Sequence, residues 1–148
     1  MKSFALLAIG SLALLGAPAS AAEAGHVLFD ETCSGCHQVG GVGQSGLAPP
    51  VATEELWLAM GDKAEIYLAG ILMGGLTGTI VSNGETYMGL AMPPHNWLSD
   101  DEALAIADYV LNDLNGLGVA VMLAPIAEAR EKPPSHAALR AMRKEALP

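Results

Sequence analysis

Cysteine is scarce in this chain, with two among 148 residues. Only two residues separate them, so a disulfide between them would close a tiny loop and constrain nothing distant. Basic residues are scarce as well. Seven lysines and arginines stand against sixteen acids, for a formal net charge of −9, and a surface of that sign excludes nucleic acid as a partner. Aromatic residues make up 5%, and few segments alternate as strands do, so an all-β architecture is excluded. Beyond residue 22 no run approaches the roughly 20 apolar residues of a spanning helix. Repeats and low-complexity tracts are absent, and the length suits one domain with an appendage.

The first twenty-two residues read as a leader. Lys2 gives a cationic start, an apolar run extends from Phe4 to Leu15, and Ala19-Ser20-Ala21 forms a small-residue cleavage site. This is the pattern of a secretory signal peptide cleaved near residue 21 or 22. The mature chain is expected to be soluble and exported.

Both cysteines fall in "FDETCSGCHQVG", residues 29–40, with a histidine directly after the second. A thioredoxin-like pair needs a preceding strand, whereas "EAGHVLFDE" reads as a helix. A zinc site needs four ligands, whereas His26, His95 and His136 are scattered singly. The remaining chemistry is covalent haem attachment through C-x-x-C-H. Thiols three positions apart on a tight helical turn match two vinyl groups on neighbouring pyrroles. The next residue, His37, then lies beneath the macrocycle and can ligate iron.

Other spacings extend the pattern. Gly25 and Phe29 stand eight and four residues before Cys33. "LSDDEALAIADYVLNDLNG" opens with Ser99 and Glu102 as a capping box, places Asp100 and Asp101 in the first turn, repeats apolar residues at helical spacing and stops at Gly116. A further helix is predicted over residues 62–73, its apolar positions Ile66, Leu68, Ala69, Leu72 and Met73 almost surrounding it. Residues 77–87 suggest a short hairpin around Asn83-Gly84.

Over residues 23–115 the chain resembles the class I, mono-haem cytochromes c. The resemblance implies an all-α fold with about three to four core helices around one covalently bound haem c, attached through Cys33 and Cys36. It also implies that Gly25 lets the N-terminal helix cross closely over the C-terminal one, where Phe29 meets Tyr109. The second axial ligand is placed by the family at a methionine followed by proline shortly before the last helix, which is Met92; Met88 and His95 are the alternatives. A proline carbonyl, from Pro49 or Pro50, is expected to accept the proton of the ligand imidazole. Trp57, Tyr67, Tyr87 and Trp97 are candidates to line the haem or bond its propionates. Met60 and Met73 read as core, and Met122 and Met142 lie in the tail.

Charge is uneven along the chain. Residues 23–115 hold thirteen acids and one base, Lys63, for a net −12, and residues 116–148 hold five bases and three acids. An acidic haem domain favours a redox partner with a basic docking face. The extension over 116–148 suggests a basic helix capped by Ser135, with Leu139, Met142 and Leu147 on one side. It is read as docking into a partner subunit, the alternative being to wrap its own domain. The run from Gly70 to Leu114 resembles cytochromes that serve periplasmic sulfite, alcohol or sugar dehydrogenases. The resulting expectation is a periplasmic one-electron carrier, not catalytic alone, that is the electron-accepting subunit or partner of such a dehydrogenase. A freely diffusing carrier feeding a terminal oxidase or reductase is the alternative, and a haem enzyme or gas sensor with open iron is a third reading.

Overall fold

The computed structural model describes residues 21–89 and 91–147. The leader expected over residues 1–22 lies, up to residue 20, outside the described residues.

The first helix, α1 (Ala21–Thr32), is followed by one short turn, α2 (Ser34–His37), that carries the cysteine–histidine motif. A loop then leads to α3 (Glu54–Met60) and α4 (Ala64–Gly74). Sequence patterning did not single out α3, whose seven residues are too few to display a helical period. Four short strands follow: β1 (Leu76–Thr77), β2 (Ile80–Ser82), β3 (Glu85–Tyr87) and β4 (Ala91–Met92). Strands β2 and β3 form the expected hairpin, with Ser82 opposite Glu85. Asn83 and Gly84, at φ 49° and 76°, supply the two left-handed residues that such a turn requires. The pairing of β1 with β4 was not foreseen; it sets Leu76 opposite Met92 and Thr77 opposite Ala91.

Helix α5 (Asp100–Asp108) begins with the complete capping box between Ser99 and Glu102. Its last turn, Tyr109–Asp113, widens to π geometry, with Leu114 N–H donating to Tyr109 O at 2.9 Å. The helix therefore keeps its expected length but not a uniform pitch. Helix α1 lies across α5, and Gly25 sits where they meet. A Cβ built on Gly25 would stand 2.3 Å from the Ala105 carbonyl oxygen and 2.9 Å from Tyr109 Cβ. Phe29 is buried beside this crossing, its ring tilted against Tyr109 at 5.5 Å.

Helix α4 is buried on nearly every side, Ile66 being an exposed exception. The extension explains why. After the loop from Leu114, α6 (Leu123–Glu131) packs on α4 and α5, and α7 (His136–Ala146) packs on α3 and α4. Ile126, Ala129 and Leu139 are fully buried against the domain, and Met142 and Leu147 pack on the same core. The docking role expected for Leu139, Met142 and Leu147 is thus corrected: these side chains cover their own domain. Gly70 and Gly74 make the approach possible. A Cβ on Gly70 would lie 2.8 Å from Leu139 Cδ2, and one on Gly74 would lie 2.8 Å from Pro133 Cβ.

The basic residues of the extension also find partners at home. Arg130 pairs with Asp100 at 2.7 Å and donates to the carbonyls of Asn96 and Leu98. Glu145 pairs with Lys63 at 2.8 Å. Arg140 donates to Thr77 O. Surface pairs of this kind stabilise little individually; the apolar burial of Ile126 and Leu139 is the larger contribution, about 1.5–3 kcal/mol for each side chain.

Candidate haem-binding site

A deep cavity runs between α1, α2, α3, α4 and the β-strands, lined mostly by apolar side chains. Cys33, Cys36 and His37 form one wall, and Met92, Pro93 and His95 contribute to another stretch of the lining. The motif is held by local hydrogen bonds. His37 N–H donates to Cys33 O at 2.9 Å, and Ser34 Oγ donates to Asp30 O at 2.6 Å. Cys33 is buried and Cys36 exposed. Burial pushes the Cys33 thiol up to about 11, with Cys36 adding to the rise, so Cys33 is held as the thiol at neutral pH.

His37 Nδ1 lies 2.8 Å from Pro49 O. A carbonyl only accepts, so Nδ1 is the donor and Nε2 keeps its lone pair for a metal. Of the two prolines left open by the sequence, Pro49 makes this bond. The glycine-rich loop brings it there. Gly43, at φ 72°, would carry a Cβ only 2.4 Å from Pro50 N and 2.7 Å from Pro49 C, so the loop folds back as tightly as it does because Gly43 has no side chain. Burial lowers the His37 pKa from its ordinary value; the Pro49 bond opposes the shift and nearby His95 adds to it. A neutral imidazole is the form that ligates iron.

Met92 is half-buried and lines the cavity. Its backbone is fixed by pairing with Leu76, and Gly75, at φ 73°, faces it so closely that a Cβ would stand 2.6 Å from Met92 O. Met88, the alternative, is 64% exposed and stands outside the lining. His95 does line the cavity, and its Nδ1 is buried without a hydrogen-bond partner. Burial lowers its pKa as well, with the Pro93 carbonyl opposing. Met60 and Met73 are buried in the core, as their helical positions implied.

The aromatic candidates divide. Trp57 and Tyr67 are buried on the cavity, and Tyr87 joins them. Trp57 Nε1 donates to Val51 O at 2.8 Å, and Tyr87 Oη donates to Glu85 Oε2 at 2.9 Å, so both polar tips are already engaged. Trp97 is 67% exposed and stands outside the lining, whereas its neighbour Leu98 is 2% exposed. Sequence reasoning missed the one buried charged side chain of the lining among the described residues. Arg143, on α7, is 7% exposed and lines the cavity. Its signal was present in its spacing, four residues after Leu139 and so on the apolar side of the helix.

These residues fit a c-type haem. The lining is apolar enough to take a macrocycle, a cysteine pair and a neutral imidazole share one wall, a thioether lines the same space, and Tyr67 Oη, His95 Nδ1 and Arg143 Nη2 are buried there without a close hydrogen-bond partner. When bound, the haem supplies an iron that changes oxidation state by one electron.

Comparison with known proteins agrees with the site. The pattern of the cytochrome c family matches residues 22–113, well over half of the chain, and the chain belongs to that family. Membership carries with it a covalently bound c-type haem. Among curated proteins, a cytochrome c-552 of Thermus thermophilus is 32% identical over 106 residues, covering 72% of this chain and 66% of the relative. A second cytochrome c-552 of Thermus thermophilus is 33% identical over 78 residues, covering 53% of this chain and 59% of the relative. The matched stretch thus spans less than two-thirds of either relative.

Proposed function

We propose that this chain is an exported one-electron carrier whose haem is attached through Cys33 and Cys36 and ligated by His37 and Met92. The observation that carries the reading is the convergence of His37, oriented by Pro49, and strand-held Met92 on one apolar cavity. A thioether stabilises ferrous iron and raises the potential, and a filled sixth position argues against chemistry on a substrate at iron. Cys36 is exposed while lining the cavity, and Val39 and Val42 nearby are 68% and 64% exposed. Such an edge suits brief electron exchange with a partner protein. The leader sequence supports export to a periplasm, where haem attachment of this kind takes place.

The sequence left a subunit and a separate partner of a dehydrogenase both open, with the tail read as docking. With α6 and α7 packed on their own domain, the better reading is a self-contained carrier. It accepts single electrons from a periplasmic dehydrogenase of the sulfite, alcohol or sugar type and delivers them to a terminal acceptor. The acidic surface supports transient, salt-sensitive encounters with basic partners. The test is native purification followed by redox titration. A carrier elutes at monomer mass, shows a reversible one-electron midpoint and is reduced by a fractionated dehydrogenase. Elution in a stable stoichiometric complex that survives high salt would instead support the subunit reading, and an iron open to carbon monoxide in the reduced parent protein would refute the carrier.

A further inference from the structure

Helix α7 lies outside the stretch matched by the family, yet it sends a charged side chain into the haem cavity. Arg143 is only 7% exposed. Its Nε donates to Val81 O at a long 3.2 Å, and its buried Nη2 has no close partner. Among the described residues no acid pairs with it. Glu145, two positions on, is held by Lys63, and Glu85 is held by Ser45, Gly46 and Tyr87. The other arginines of the extension are satisfied: Arg130 reaches Asp100 and two carbonyls, and Arg140 reaches Thr77 O.

A second donor stands beside it in the same cavity. Tyr67 is 1% exposed and its buried hydroxyl makes no close hydrogen bond. Burial raises its pKa, and the Arg143 guanidinium opposes the rise through its charge and through a long hydrogen bond to the phenol, so the two groups are neighbours in the lining. A buried guanidinium without a counter-charge is strongly disfavoured unless an anion meets it. A neutral phenol whose proton has no close acceptor among the described residues points the same way. The haem carries two carboxylates on its propionate arms, and a guanidinium fork is matched to a carboxylate.

We propose that Arg143 is a haem-propionate ligand, with Tyr67 as a second donor, so that the C-terminal extension forms part of the cofactor site. The proposal rests on the haem reading above. It also gives the extension a role that neither partner docking nor bare hydrophobic cover explains. Removing the charge should weaken the preference for ferrous iron and lower the midpoint potential, because a cation near the macrocycle favours the less positive metal.

The direct test uses the parent ferrous holoprotein. NMR should show slowly exchanging Arg143 guanidinium protons with cross-relaxation to propionate methylene protons. Resonance Raman then compares Arg143→Gln with the parent and with Lys144→Gln, which removes an exposed charge one residue away. The propionate bending band and the midpoint potential should shift in Arg143→Gln alone, while the His/Met coordination bands stay. Arg143→Lys should shift less, since one donor survives. Absence of the NMR contacts, or an unmoved propionate band in a folded Arg143→Gln protein, overturns the proposal. Because the NMR arm uses the parent, a variant that fails to mature does not shield it. A parent lacking covalent haem would instead refute the haem site itself.

Discussion

Replacing Gly25 with alanine probes the helix crossing from which the cysteine motif hangs. A Cβ at this position meets the Ala105 carbonyl oxygen at 2.3 Å, the Ala105 carbonyl carbon at 3.0 Å and Tyr109 Cβ at 2.9 Å. Ordinary contact begins near 3.4 Å, so α1 and α5 must part by roughly 1 Å along this line. Two of the three obstacles are helix backbone and the third is a Cβ, and no rotamer change relieves any of them. Overpacking of this kind costs about 3 kcal/mol, at the upper end of the usual range. Separation also loosens Phe29 and Tyr109, which close the core beside Cys33. Alanine recovers about 1 kcal/mol through better helix propensity. The expected net loss is therefore about 2 kcal/mol, a fall of roughly 10 °C in Tm for a domain of this size. Gly35, in α2, has nothing within 4 Å of the position a Cβ would take, so Gly35→Ala is expected to be neutral or slightly stabilising and serves as the control. Denaturant unfolding of the ferric holoprotein, followed by far-UV circular dichroism and the Soret band, reads both variants. An unchanged midpoint for Gly25→Ala would refute the argument that close backbone approach is what selects glycine there.

Met92→Ala should open the sixth site and let the reduced protein bind carbon monoxide, whereas Met88→Ala should leave the spectrum alone; an intact methionine–iron charge-transfer band in the Met92 variant contradicts the assignment. Gly75→Ala should weaken that same band, because a side chain at φ 73° costs about 1–2 kcal/mol and meets Met92 O at 2.6 Å. Leu139→Ala should destabilise the isolated protein by about 2–5 kcal/mol, since the residue is fully buried; wild-type stability with impaired partner binding would restore the docking role. Hydrogen bonds from Ser99 hold the Glu102 carboxyl below its ordinary range, so its stabilising effect is complete at neutral pH and is lost as pH falls through that lowered pKa. Parent and Glu102→Ala unfolding curves should therefore differ at neutral pH and converge once acid takes the solution below that lowered pKa, and a gap that persists there would place the effect in packing.

What could be read before the structure was local chemistry. The C-x-x-C-H spacing, the Ser99–Glu102 box and the Asn83-Gly84 turn each act within five residues, so their geometry is written in adjacent letters. The Gly25–Tyr109 crossing is long-range and came through resemblance; no periodicity identifies which glycine faces which helix. The β1–β4 ladder escaped because two-residue strands have no period to detect. Trp97 was named with the other aromatics because a buried indole N–H wants a partner, but adjacent letters do not tell which of Trp97 and Leu98 is buried, and it is Leu98. The tail was misread for a different reason: the apolar side of α7 looks the same whether it covers a partner or its own domain.

Helix α4 shows what decided between those two. Its apolar residues run nearly all the way round, which a helix facing one cavity does not need. Tyr67, Leu68, Ile71 and Leu72 serve the cavity. Gly70 and Gly74 lie where Leu139, Pro133 and Pro134 come in, and Gly75 ends the helix against the Met92 backbone. Cofactor cavity, axial loop and extension therefore all bear on one eleven-residue helix. A change that lifts the extension from Gly70 and Gly74 withdraws Arg143 from the cavity and also removes support from the turn that holds Met92. Disturbance of the tail should thus reach the haem by two routes, through the guanidinium and through the axial loop. The two are separable, because Arg143→Gln alters only the first and Gly75→Ala only the second.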